Sequence, residues 1–182
     1  MNSLKPYYPV FKFVATFGVL YLALSLAYYA YLQVEYSPVN YPDPVTALVS
    51  NQTKTGLQWL GYDAQIYNAP SNPSVVLYID EKVVYRVIEG CNAVSVMLLF
   101  AAFVIAFAKA WKTTILYLLF GIVTIYIVNL LRLIGLGYVF QEFSSYKEIA
   151  HDIAFPAVIY GYVILLWIYW IRKPKVDDGK AN

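Results

Sequence analysis

Residues 113–132 read TTILYLLFGIVTIYIVNLLR, an uncharged run closed by an arginine. A bilayer's hydrocarbon core is about 30 Å thick, so a crossing helix needs roughly 20 apolar residues at 1.5 Å each. This stretch reads as a membrane-spanning helix, and the rest of the chain agrees. Of 182 residues, 60% are hydrophobic and 13% charged. The mean hydropathy of +0.56 is too apolar for a soluble domain. Three more runs have the same character, giving helices at about 13–32, 92–109, 113–132 and 152–171, the second being the shortest. The expected fold is an all-α polytopic membrane protein. One membrane domain covers 1–182, with about four transmembrane helices and an extracytoplasmic loop at about 33–90.

Orientation follows from lysine and arginine, which favour the cytoplasmic side. With the N-terminus inside, Lys5, Lys12, Lys109, Lys112 and the Arg172–Lys175 cluster all fall inside, while most acids fall outside. Both termini are then cytoplasmic, with Tyr28, Tyr29, Tyr31 and Tyr36 forming an outer interfacial belt. The first helix is too long for a signal peptide and has large aromatics where small cleavage residues belong, so it reads as an uncleaved anchor. The net charge of +2 gives no reason to expect a nucleic-acid partner; the lipid bilayer is the partner expected. One cysteine cannot form a disulfide within the chain.

The outer loop opens with turn formers (Pro38, Pro42, Pro44, Gly56, Gly61, Pro70, Pro73) and reads as irregular there. Its second half does not. Val75–Ile79 and Val83–Ile88 are β-branched and aromatic runs separated by Asp80-Glu81-Lys82, the pattern of a β-hairpin. A lone hairpin is marginal in water, so it should rest on the helices. It delivers the chain to Glu89-Gly90-Cys91 at the start of a helix. A second outer connection, 133–150, carries Gly135, Gly137, Gln141 and Glu142 and reads as a flexible lid.

Three residues fall at the same outer edge of three helices: Cys91, Arg132 and His151. The chain has no other cysteine or histidine. Each has a plain alternative. Cys91 could be a small buried hydrophobe, or a thiolate favoured by a helix N-terminus and a nearby cation. Glu89 would oppose that thiolate, or orient Arg132 or the histidine. Arg132 could snorkel to headgroups, yet it lies on the cation-poor side with Asn129 one turn deeper on the same face. An Asn–Arg pair suits an oxyanion or a carboxylate. His151 could be an interfacial histidine beside Asp152, or an acid/base. One His and one Cys, without ligand spacing, hold no metal. Together, a nucleophile, a base and a cation are what acyl transfer needs.

Glu89-Gly90-Cys91-Asn92-Ala93, Asn129-Leu130-Leu131-Arg132 and His151-Asp152-Ile153-Ala154-Phe155-Pro156 resemble the exosortase/archaeosortase family, most closely its short exosortase F type. The resemblance covers about 83–171. It implies a cysteine transpeptidase or protease in the bacterial cytoplasmic membrane, needing no cofactor and no metal. Cys91 would be the nucleophile, Arg132 the carbonyl- or oxyanion-stabilising cation and His151 the acid/base. Asn129, Glu89 and Asp152 would support them. The substrate implied is an exported protein whose C-terminus carries a short motif, a membrane helix and a basic tail. Many relatives follow the cysteine with Ser or Thr and then Gly, where this chain has Asn92-Ala93. Typical members also have more helices, which leaves room here for a partner membrane subunit. Two other readings stand beside this one: a hydrolase that only cleaves, and a non-catalytic assembly factor that binds a partner through its outer loop.

Overall fold

The computed structural model describes residues 7–34, 42–69 and 72–173. Tyr36 and most of the proline-rich start of the outer loop lie outside them. Helix α1 (Tyr8–Leu32) is followed by α2 (Pro44–Trp59), strands β1 (Ala64–Asn68), β2 (Val75–Ile79) and β3 (Lys82–Val87), then α3 (Val94–Ala106) and α4 (Trp111–Glu142). A 3-10 turn at Ser144–Tyr146, a three-residue helix at Lys147–Ile149 and a π turn at Ala150–Ala154 lead into α5 (Phe155–Arg172).

The membrane character is as the composition requires, but among the described residues the helices long enough to span number three rather than about four. Three helical stretches are long and apolar enough to cross a bilayer: Tyr8–Leu32, Trp111–Glu142 and Ser144–Arg172. The fourth, α3, has 13 residues, which at 1.5 Å per residue is about 20 Å, short of the hydrocarbon core. It begins at Val94 because Ala93 takes a left-handed conformation, φ +63°, that no helix can continue through.

Aromatic and glycine contacts assemble the bundle. Phe13 of α1 stacks on Phe107 beyond α3, with ring centroids 4.1 Å apart. Phe100 of α3 packs against Gly121 of α4, where any added Cβ would fall 2.1 Å from the ring. Tyr117 of α4 stacks on Trp170 of α5 at 4.6 Å and donates its hydroxyl to the Leu166 carbonyl. Gly135 of α4 meets Phe155 at the other end of α5, so α4 and α5 run antiparallel.

The outer loop is more ordered than its turn formers suggested. Helix α2 starts because Asp43 caps it: its carboxylate accepts the backbone N–H groups of Val45 (3.0 Å) and Thr46 (3.1 Å), and Pro44 occupies the first turn. The expected hairpin is β2–β3, turning on Asp80 and Glu81, both at positive φ (50° and 63°), as a two-residue I′ turn requires. A third strand, β1, pairs antiparallel with β2 to give the order β1-β2-β3. Leu57 of α2 joins Ala64, Leu77 and Ile79 in a second small core, with Ile134 of α4 against it.

The expected lid is mostly helix. α4 does not end at Arg132 but continues through Glu142. Gly137 lets α4 approach Leu57 of α2. Beyond it the sheet is tied on: Tyr62 donates to Glu142 (2.9 Å) and Gln141 to Asp80 (3.1 Å).

Candidate active site

Strand β3 is the arm that places Cys91. Tyr85 on β3 donates its hydroxyl to the Leu133 carbonyl of α4 at 2.7 Å, fixing the strand beside Arg132. Burial pushes the Tyr85 hydroxyl well above its usual pKa, a Cys91 thiolate raises it further, and the Arg132 guanidinium pulls it back. One hydroxyl therefore feels both the thiol and the guanidinium. Two residues past the strand, Glu89–Cys91 form a 3-10 turn, with the Cys91 N–H bonded to the Ile88 carbonyl at 2.8 Å. Cys91 is half-buried and unpaired. It precedes α3 by three residues, and the first N–H of that helix, Val94, is bonded by Asn92 Oδ1 at 2.9 Å.

Asn129 joins Cys91 to Arg132. It is fully buried; its amide donates to the Cys91 carbonyl at 2.8 Å and its Oδ1 accepts from Arg132 Nη1 at 3.1 Å. An Asn enclosed in this way holds the Cys91 backbone and the Arg132 guanidinium in register. Arg132 is half-buried, and its Nε is buried without a hydrogen-bond partner. Glu89, three residues before Asn92, is exposed and forms no ion pair with Arg132; among the described residues the one ion pair within 4 Å is His151–Asp152.

That pair stands apart. His151 Nδ1 lies 2.6 Å from Asp152 Oδ1, both side chains more than half exposed. A carboxylate only accepts, so Nδ1 carries the proton and Nε2 is the basic nitrogen. Among the described residues, Asp152 is the polar partner of His151; neither Cys91 nor Arg132 bonds to it. Arg132 is not at the helix end: α4 continues ten residues beyond it, and the return into α5 passes Gly135 at Phe155. Of the three residues expected at one depth, Asn129 bridges Cys91 and Arg132, while His151 is hydrogen-bonded to Asp152.

Sequence reading missed the buried hydrogen bonds of Asn92, although it directly follows the cysteine. It also missed Thr46, which bonds to Asn92 from 46 residues away in sequence. The Asp43-Pro44 pair, a helix cap followed by a first-turn proline, was the available signal.

The fold is thus a small helical membrane protein that presents a cysteine and an arginine at the sheet-bearing end of its bundle. Residues 9–173 match the family model described as transmembrane exosortase (Exosortase_EpsH), and the chain belongs to that family. No curated protein sequence and no solved structure matches it.

Proposed function

We propose that the chain is a cysteine transpeptidase or protease that cuts C-terminal sorting signals of exported proteins at the extracytoplasmic surface of a bacterial inner membrane. The observation that carries this reading is the Cys91–Asn129–Arg132 chain, in which a half-buried guanidinium has Asn129 and no carboxylate as its partner and one buried N–H is unused. A cation held beside a cysteine without a neutralising acid is suited to an incoming oxygen.

In this mechanism the substrate's membrane helix docks beside the bundle and its scissile peptide reaches Cys91. The Cys91 proton passes to His151 Nε2, and the sulfur bonds to the carbonyl carbon while the electron pair moves onto oxygen, facing Arg132. Collapse breaks the C–N bond; the leaving amine takes the proton from His151 and a thioester remains. An amine or hydroxyl acceptor, or water, then displaces the thiol. The 144–154 segment of short turns, ending in the π turn that carries His151, is the part suited to adjusting the histidine's position, since π turns concentrate at functional sites.

The test is a membrane reporter ending in a short motif, an apolar helix and a basic tail, expressed with the parent or with Cys91→Ala. The parent shortens the reporter; Cys91→Ala inserts equally well and leaves it intact. Processing that survives Cys91→Ala overturns the mechanism. Product mass separates transfer from cleavage, because a hydrolysed end lacks the acceptor's added mass.

A further inference from the structure

Beside the candidate site runs a file of buried polar groups that the mechanism above does not use. Asp43 is 5% exposed, and Thr46 and Asn92 are fully buried. Asp43 Oδ1 accepts the two capping N–H groups of α2 and, at 3.4 Å, the Tyr31 hydroxyl of α1; Oδ2 accepts the Thr46 hydroxyl at 2.6 Å. With its single proton given to Asp43, Thr46 Oγ1 offers a lone pair to Asn92 Nδ2 at 3.0 Å. The Asn92 amide also donates to the Tyr28 hydroxyl at 2.9 Å, and its Oδ1 takes the Val94 N–H.

Burying this many polar atoms is costly unless every bond is made, and apolar side chains would join the same three helices without that cost. What the file adds is direction. It ends on the residue next to Cys91, and it spans a backbone position, Ala93, whose φ of +63° is unfavourable for a residue with a Cβ. Bonds to residue 92 on one side and residue 94 on the other hold that conformation in place. From the opposite side Asn129 grips the Cys91 carbonyl. The cysteine's turn is thus held between α4 and the loop helix α2.

We propose that Asp43, Thr46 and Asn92 are positioning residues for Cys91, so that the first turn of α2 sets how the thiol is presented. The proposal takes Cys91 as the reactive group of the site described above.

Because the chain has no other cysteine, alkylation reads this site alone. The experiment measures the pH profile of maleimide alkylation of the full chain in lipid vesicles for the parent, Thr46→Val, Thr46→Ser and Asp43→Asn, with melting temperature in parallel. Thr46→Val keeps the shape and removes the hydroxyl. The expected result is an alkylation midpoint displaced by about half a pH unit or more from the parent's, on a scale where an unperturbed thiol lies near 8.5. Thr46→Ser restores the parent profile, and Asp43→Asn, which keeps an oxygen for the cap, gives a smaller displacement in the same direction. A Thr46→Val profile that superimposes on the parent's overturns the proposal. So does a Thr46→Ser protein that melts like the parent but does not restore the profile. Should Thr46→Val fail to fold, an Asp43→Asn profile identical to the parent's overturns it equally. None of these readings depends on processing, whereas reporter cleavage by Cys91→Ala would end the protease reading and leave the alkylation result standing.

Discussion

Lys109 and Arg132 lie at opposite ends of the same bundle and are treated in opposite ways. Lys109 donates to the Trp170 and Lys173 carbonyls at the end of α5 and sits 4.6 Å above the Trp170 ring. The Trp170 indole in turn donates to the Phe107 carbonyl at 3.2 Å. Every group there closes a helix end, where the last carbonyls would otherwise lack partners. Arg132 has Asn129, and a buried Nε without a hydrogen-bond partner among the described residues. Under the proposed mechanism, the difference separates a structural cation from one held for a ligand. A structural charge is satisfied by the fold, while a charge kept for a ligand is aimed and left partly unsatisfied.

The comparison breaks most visibly at Arg132. Replacing it with Gln should lower reporter processing by about 10²–10³-fold, the usual range for losing one oxyanion donor. Arg132→Lys should not recover it, because an ammonium lacks the planar fork that reaches Asn129 and a ligand together. Processing by Arg132→Lys at the parent's rate would make the residue a simple counter-charge. Asn129→Leu comes next. It leaves the Cys91 carbonyl and the guanidinium without their bonds, a loss of about 1–3 kcal/mol, and both melting temperature and processing should fall. A drop in melting alone would show that Asn129 only packs.

Lys109→Met sharpens the contrast from the other end. It should cost about 1–2 kcal/mol of stability through the lost cap and the lost ring contact, read as a lower melting temperature in detergent, with processing per folded molecule unchanged. Tyr85→Phe should cost about 1 kcal/mol for its bond to Leu133; the measurement is the same melting curve, and an unchanged curve would mean β3 is held by packing alone. The smallest effect is expected at Ala93→Gly. Glycine relieves the left-handed strain, worth about 1–2 kcal/mol, but loses up to about 1 kcal/mol in chain entropy. A small rise in melting temperature is expected, and a clear fall would mean the methyl group's burial outweighs the strain.

Parts of this architecture were legible and parts were not, for particular reasons. The three long helices follow from apolar length, and the β2–β3 hairpin from β-branched runs about Asp80-Glu81. Helix α2 escaped because its buried face is Thr46, Val49, Ser50, Thr53 and Leu57. The spacing is helical, but three of those five residues are hydroxyls that hydrophobic patterning does not register. Their hydroxyls are satisfied within the helix or by Asp43: Ser50 and Thr53 bond the carbonyls four residues back at 2.8 Å. The end of α4 escaped for the opposite reason. Arg132 read as a helix terminus, yet Leu133, Leu136 and Gly137 are buried against the sheet and α2, and that contact carries the helix ten residues further.

The sequence alone determined the membrane class, the strongest spans and the identities of Cys91, Arg132 and His151, because bilayer thickness is matched by local length and hydropathy and because rare residues stand out. Only the tertiary structure decided which of them meet. Asn129 reaches Cys91 across 38 residues and Thr46 reaches Asn92 across 46, and no local pattern encodes a bond between elements that far apart in the chain. The same packing that brings Cys91 and Arg132 to one Asn leaves His151 with Asp152 at the surface. Helix length and crossing points, such as Phe155 on Gly135, set that arrangement.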